Sequence, residues 1–206
     1  MPRPAKFSEA QILDATAVLV AAPGPGAVTI GAIGALLDAP SGSIYHRFAS
    51  RDVLLARLWL SKAAFFQNRF VEAFSHPDPV TAGRDAAMSL APSVRADFAG
   101  ARIMLLHRRD DFLSGEWPPD MAAEAARLRQ QVDDAMKEIT RRLFGRASAE
   151  SSRLASFAIL DVPFAAVRRH VGANEVPPPY VDDLVDRTYA ALITSTRAGG
   201  RNSRTS

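Results

Sequence analysis

Cysteine is absent from the 206-residue sequence, which excludes disulfides, thiolate metal sites and a cysteine nucleophile. Long hydrophobic runs are missing too. Charges interrupt every apolar stretch well short of the roughly 18 residues that read as a membrane span. The opening residues MPRPAKFSEAQ lack an apolar signal core, so the expectation is a mature, cytoplasmic protein. Catalytic signatures are equally scarce. No HExxH, GxSxG, P-loop or glycine-rich dinucleotide turn occurs, and His46, His76, His107 and His170 fall at no ligand spacing. No cofactor, metal or catalytic residue is therefore expected. Lysine is sparse: of 25 basic residues, 22 are arginine. That bias and the many alanines favour helix and are what a GC-rich genome produces, so they carry no functional reading alone. A net charge of +3 permits a polyanion partner without requiring one.

What remains is hydrophobic and helical. Hydrophobic residues make up 48% of the chain and charged residues 23%, enough to bury a core and too apolar for a disordered chain. The apolar spacing is 3.6-fold almost throughout, and the fold class read from it is all-α. Ser8 and Gln11 form a capping box, with Phe7 and Ile12 as a hydrophobic staple, at the start of a first helix. Pro23-Gly24-Pro25-Gly26 ends it. Thr29 should cap a short helix running through Leu37, a second short one covers 41–47, and Ser50 caps a long helix reaching Phe74. Further helices are expected at 80–97, 100–112, 119–144, 149–171 and 178–197, with Pro92 and Pro163 kinking or interrupting two of them. Residues 199–206, polar with Arg201 and Arg204, read as a flexible tail.

Two short helices between Val28 and Phe48 cannot bury much unless they lean on the first helix, which makes a three-helix unit. Gly34, unfavourable inside a helix by about 1 kcal/mol, implies a close approach of chain there. Asp38 occupies the turn, where a left-handed residue is usual and Asp is tolerated. Ala39 and Ile44 are expected to plug the shared core. This is a helix-turn-helix, a unit whose second helix enters the DNA major groove. Thr29, Ile33, Gly34, Gly42, Ser43, Ile44, Tyr45, His46, Phe48, Ser50, Arg51 and Leu54 together resemble the signature of the tetracycline-repressor (TetR-like) family. The resemblance covers about 50 residues. It departs from the family at Asp38, usually Gly, and at Pro40, usually a Ser cap, for which Ser41 is the expected substitute.

The resemblance implies a DNA-binding domain over residues 1–50 and a helical ligand-binding and dimerisation domain over 51–198. Small, polar Ser41, Gly42 and Ser43 suit a helix brought deep into the groove with hydroxyls at base edges. Tyr45, His46 and Arg51 look like phosphate contacts, Thr29 adds a helix N-terminus, and Arg3 and Lys6 form a basic arm. Phe48 is assigned to the core. For an apolar effector pocket the aromatic, thioether and polar candidates are Trp59, Phe66, Phe70, Met88, Arg102, Ile103, His107, Trp117, Met121 and Phe164. Small faces at Ala155, Ala158, Ala165, Ala191 and Leu192 are the candidate dimer surface. The expected protein is a dimeric, ligand-responsive repressor of a palindromic operator. A ligand-independent or activating regulator is the alternative. The rival outside DNA binding is a helical small-molecule-binding protein or a Mg-dependent prenyl-diphosphate enzyme. Asp182-Asp183-Leu184-Val185-Asp186 spells DDxxD, although acids in a first helical turn also complement the macrodipole.

Overall fold

A computed structural model describes residues 7–21, 23–113 and 115–202, with side chains to residue 193. Among the described residues there are eleven α-helices and no strand. The chain divides into two compact units, Met1–Ala64 with Ala99–Ala125, and Phe65–Phe98 with Ala126–Ser206.

In the first unit, α1 (Glu9–Val20) starts at the capping box read from sequence. The Gln11 amide donates to Ser8 Oγ at 3.2 Å, and the Ser8 amide to Gln11 Oε1 at 2.8 Å. Phe7 packs against the core beneath, where Ile12 is buried. Thr29 caps α2 (Ile30–Leu37) by accepting the Ala32 amide at 3.1 Å, and Asp38 ends it in the left-handed conformation at φ 49°. Helix α3 (Ser41–Tyr45) follows, and Ser50 accepts the Val53 amide to start α4 (Arg51–Glu72). Ile12, Val20, Ile33, Ile44, Phe48, Leu54, Leu55 and Leu58 form one core under these four helices, joined by Ile103 of α7 (Phe98–Leu106) and by Phe112. At about 2 kcal/mol per buried aliphatic or aromatic side chain, this shared core holds together helices too short to persist alone. It also explains why the unit extends past residue 50: Leu54, Leu55 and Leu58 belong to the same core as the short helices.

Gly34 meets its expectation by a different neighbour. A Cβ there would lie 2.7 Å from the Ala39 carbonyl oxygen, and the Ala39 amide donates to the Gly34 carbonyl at 2.9 Å. The close approach is the turn itself. Ala39 is half-buried, so Ile44 alone plugs the core, and Ser41 makes no cap, because α3 begins at Ser41 with Pro40 in the cap position. Helix α3 also stops at Tyr45, short of residue 47.

The second unit comprises the end of α4, α5 (Pro79–Met88), α6 (Leu90–Ala96), most of α8 (Pro119–Phe144), α9 (Ala149–Ser156), α10 (Val162–Gly172) and α11 (Tyr180–Asn202). Both prolines act as expected. The span 80–97 is split at Ser89, three residues before Pro92, and a π-helical turn at Phe157–Asp161 separates α9 from α10 ahead of Pro163. Proline donates no hydrogen bond to the carbonyl four residues back, and the wider turn accommodates that loss. Buried Tyr189 of α11 donates to the Val80 carbonyl at 3.0 Å and lies over Gly83, where a Cβ would sit 2.4 Å from its hydroxyl. The last helix continues to Asn202, beyond the expected end at 197. Of the expected tail, residues 203–206 lie outside the described residues.

Candidate functional site

The helix-turn-helix presents a small polar surface. Ser41, Gly42, Tyr45 and His46 are exposed, Ser43 is half-buried, and Ile44 turns fully inward. A 3.6-residue period places Gly42 and His46 opposite the buried Ile44, with Tyr45 about a quarter turn away, while Ser41 is exposed at the first turn of α3. Tyr45 is 53% exposed; a core tyrosine would not leave half its surface in water. Thr29 is exposed at the N-terminus of α2, and Arg47 folds back to donate to the Ser43 carbonyl at 3.4 Å. Arg3 and Lys6 lie outside the described residues.

Arg51 departs from its expected role. Its Nε donates to the Val28 carbonyl at 2.6 Å, its Nη2 to the carbonyls of Pro25 and Gly26, and its Nη1 faces Asp52 at 3.3 Å. The guanidinium clamps the 25–28 turn to the start of α4, leaving little of its donor set for a phosphate. The Pro25 carbonyl already accepts the Val28 amide at 3.3 Å, and a cation with several donors adds to it while also reaching the carbonyls of Gly26 and Val28.

The second unit contains an apolar cavity of about 180 Å³. It is lined by Phe66, Gln67 and Phe70 of α4, Ala86 of α5, Ser89, Leu90 and Ser93 around the α5–α6 break, Val132 of α8, Ile159 and Leu160 of the π turn, and Phe164 of α10. Three of the ten sequence candidates, Phe66, Phe70 and Phe164, line it. Met88 borders a neighbouring crevice with Ala87, Pro163 and Val185 that has no room for a water molecule. The remaining six belong to the first unit. Ile103 and Met121 are buried there; Trp59 and Trp117 meet edge-to-face at 5.7 Å; Arg102 donates to the Ala21 carbonyl at 2.7 Å and completes the end of α1. His107 packs its ring against Gly24, and its Nε2 is buried without a hydrogen-bond partner, as is Trp117 Nε1. Composition can nominate aromatic residues but not say which share a wall. Gln67, Ser89 and Ser93 were missed; the signal available was a polar residue set between Phe66 and Phe70 on the same helix.

Two dimer candidates are corrected. Ala155 and Ala158 are both 0% exposed and belong to the core of the second unit, where their small size lets helices approach. Ala165 and Ala191 are exposed and Leu192 is half-buried. Larger apolar side chains share the outer surfaces of this region: Phe157, Phe164, Tyr180 and Leu184 are all exposed. The DDxxD acids are engaged. Both carboxylate oxygens of Asp182 accept hydrogen bonds from Arg95, at 2.7 and 3.0 Å, and Asp186 is held by Arg84 at 2.5 and 2.7 Å. The Arg84 hydrogen bond holds the Asp186 carboxyl below its ordinary value. Among the described residues no cluster of three metal-ligating side chains forms, and no helix is long and apolar enough to cross a membrane.

Residues 12–58 match the family of bacterial regulatory proteins known as the tetR family. Among solved structures, the TetR family regulator PfmR of Thermus thermophilus superposes with a TM-score of 0.69 at 15% identity, covering 89% of this chain and 97% of that one. A TetR-like regulator from Rhodococcus sp. RHA1 gives 0.67 at 18% identity, over 97% and 99%. FadR of Bacillus subtilis, in complex with stearoyl-CoA, gives 0.66 at 15% identity, over 90% and 98%. No curated protein matches the sequence. At these identities the structural likeness is one of fold.

Proposed function

On the premise that this chain is a TetR-like transcription regulator with a helix-turn-helix DNA-binding domain, we propose that it is a dimeric, cytoplasmic repressor released from a palindromic operator by a small effector. The observation that carries the reading is the outward face of α3, where Ser41, Gly42, Tyr45 and His46 are exposed over a single buried anchor, Ile44. Serine hydroxyls reach base edges, and the tyrosine and histidine reach phosphate oxygens. Two copies related by a two-fold axis would place their α3 helices about 34–36 Å apart, one helical turn of DNA. The exposed Phe157, Phe164, Tyr180 and Leu184 with Ala165 and Ala191 supply the apolar surface for that pairing.

The effector reading rests on the cavity. Helix α4 carries Leu54, Leu55 and Leu58 of the core beneath the helix-turn-helix and, further along, Phe66, Gln67 and Phe70 of the cavity wall. An occupant that favours one setting of α4 shifts the population toward it by its differential affinity, and a coupling of about 1–3 kcal/mol is typical. The protein is then a non-enzymatic regulator, and the acids of the DDxxD run act as ion-pair partners within one unit. Mobility-shift titration against the DNA beside its own gene tests the reading. Specific retardation abolished by Tyr45→Ala and Ser43→Ala in folded protein is expected; retardation indifferent to both changes would overturn it.

A further inference from the structure

Resting on the effector reading above, we infer that the cavity selects a neutral, mostly apolar molecule about the size of one aromatic ring that carries a single hydrogen-bond donor, a simple phenol being the type. Size comes first. A cavity of about 180 Å³ is close to the roughly 150 Å³ apolar cavity that holds a benzene molecule. A stearoyl chain has several times as many carbons and does not fit this volume.

Charge comes second. No ionisable side chain lines the cavity. The cation nearest by bonding is Arg69, whose Nε donates to Ser93 Oγ at 3.1 Å and whose guanidinium carbon lies 5.2 Å from the centre of the Phe65 ring. A carboxylate in the cavity would lose its hydration without gaining a lining cation, an arrangement that strongly disfavours the anion.

Hydrogen-bond polarity comes third and is the sharpest constraint. Gln67 Oε1 is buried with no partner, an acceptor waiting for a donor. Both lining hydroxyls have given their protons away. Ser89 Oγ donates to the Ala86 carbonyl at 2.7 Å, and Ser93 Oγ to the Ser89 carbonyl at 2.7 Å. Each serine oxygen can therefore only accept. Gln67 Oε1 and Ser89 Oγ ask for an O–H or N–H from the occupant, and Ser93 Oγ, already accepting from Arg69, keeps one lone pair for the same purpose. Phe66, Phe70 and Phe164 offer ring faces and edges to an aromatic body.

The test compares three probes of nearly one shape on the full chain: p-cresol, which donates; toluene, which does not; and benzoate, which is anionic. Isothermal titration should give p-cresol about fivefold or more tighter than toluene, the worth of one net hydrogen bond, with benzoate weakest. Gln67→Met, a near-isosteric change that removes the acceptor with no partner, should shrink the preference for p-cresol over toluene while toluene binding persists, which also shows that the variant is folded. Equal affinity for p-cresol and toluene in the unaltered chain would overturn the donor selection. Tighter binding of benzoate than of p-cresol would overturn the ligand class and leave the effector reading standing. If no probe binds, the inference fails; if operator release by extracted metabolites fails as well, the effector reading fails with it.

Discussion

Replacing Arg51 separates two physical roles that the same position could serve. As a phosphate contact, Arg51→Gln would reduce the slope of log affinity against log salt by about 0.9, the release of one counterion, with little change in stability. The structure assigns the side chain to the turn instead: it donates to the carbonyls of Pro25, Gly26 and Val28, and its side chain is 34% exposed. A hydrogen bond from a charged donor contributes about 1.5–3 kcal/mol when well buried. A third of this side chain is already in water, and the freed carbonyls partly rehydrate, so the three bonds together amount to about 2 kcal/mol. For a chain of this length that is a fall in Tm of about 4–8 °C. The expected result is thus a destabilised protein whose salt slope changes by well under one unit, with raised amide exchange near Val28. Operator affinity should drop modestly, because the 25–28 turn precedes α2, whose N-terminus Thr29 caps. Unchanged Tm together with a salt slope smaller by one would refute the clamp and restore the phosphate role.

Gly34→Ala should destabilise by about 1–3 kcal/mol in urea denaturation despite the better helix propensity of alanine, because its Cβ would lie 2.7 Å from the Ala39 carbonyl oxygen, a backbone atom that cannot swing aside. Gly83→Ala should displace the Tyr189 hydroxyl from the Val80 carbonyl, measured as a loss of about 1–3 kcal/mol, and Tyr189→Phe should relieve part of it in the double variant. The Arg84–Asp186 pair contributes stability above the ordinary aspartate range near about 3.9, and that contribution fades as pH falls through the lowered value of Asp186 in the fold. Asp186→Asn should therefore flatten the acid limb of a stability–pH curve, by a small amount because the pair is largely exposed; an unaltered limb would show the pair to be inert. Ala191→Glu, on an exposed position, should weaken self-association in sedimentation while leaving the fold intact, whereas Ala158→Glu, at a fully buried one, should unfold the second unit.

The parts legible in the sequence were those decided by local chemistry. Ser8 with Gln11, Thr29, Asp38 and Ser50 each specify a helix end through a hydrogen bond or a backbone angle within a few residues, and Gly42 and His46 face outward because they lie opposite the buried Ile44. What the sequence could not display was partner choice at long range. Trp59 and Trp117 are as suitable for a ligand pocket as Phe66 and Phe164, yet they meet each other. Ala155 and Ala165 share a composition and a chain segment, but one is buried and the other exposed, because the π turn at Phe157–Asp161 shifts the helical phase between them. A 3.6-residue count carried straight through that turn puts the small residues on the wrong face.

The arginines illustrate the same limit from the side of charge, and show a use for the abundance of that residue. Arg51 donates to the carbonyls of Pro25 and Val28, Arg95 to that of Pro177, Arg142 to those of His76 and Pro77, and Arg102 to that of Ala21 beyond the end of α1. Three of these turns contain proline, which supplies a carbonyl but no amide. Helix ends likewise leave carbonyls without intrahelical partners. With 14 prolines and no cysteine, the chain has many such carbonyls and no covalent staple to fix its loops. A guanidinium meets the need better than an ammonium, since its five N–H groups diverge in one plane and reach successive carbonyls at once. This argument predicts a difference between lysine and neutral replacements. Arg51→Lys should lose most of the stabilisation that Arg51→Gln loses, because one ammonium nitrogen cannot stand in both for Nε, which donates to Val28, and for Nη2, which donates to Pro25 and Gly26. Urea midpoints for the two variants decide it: a lysine variant indistinguishable from the unaltered chain would mean that charge, and not the fork of donors, holds the turn.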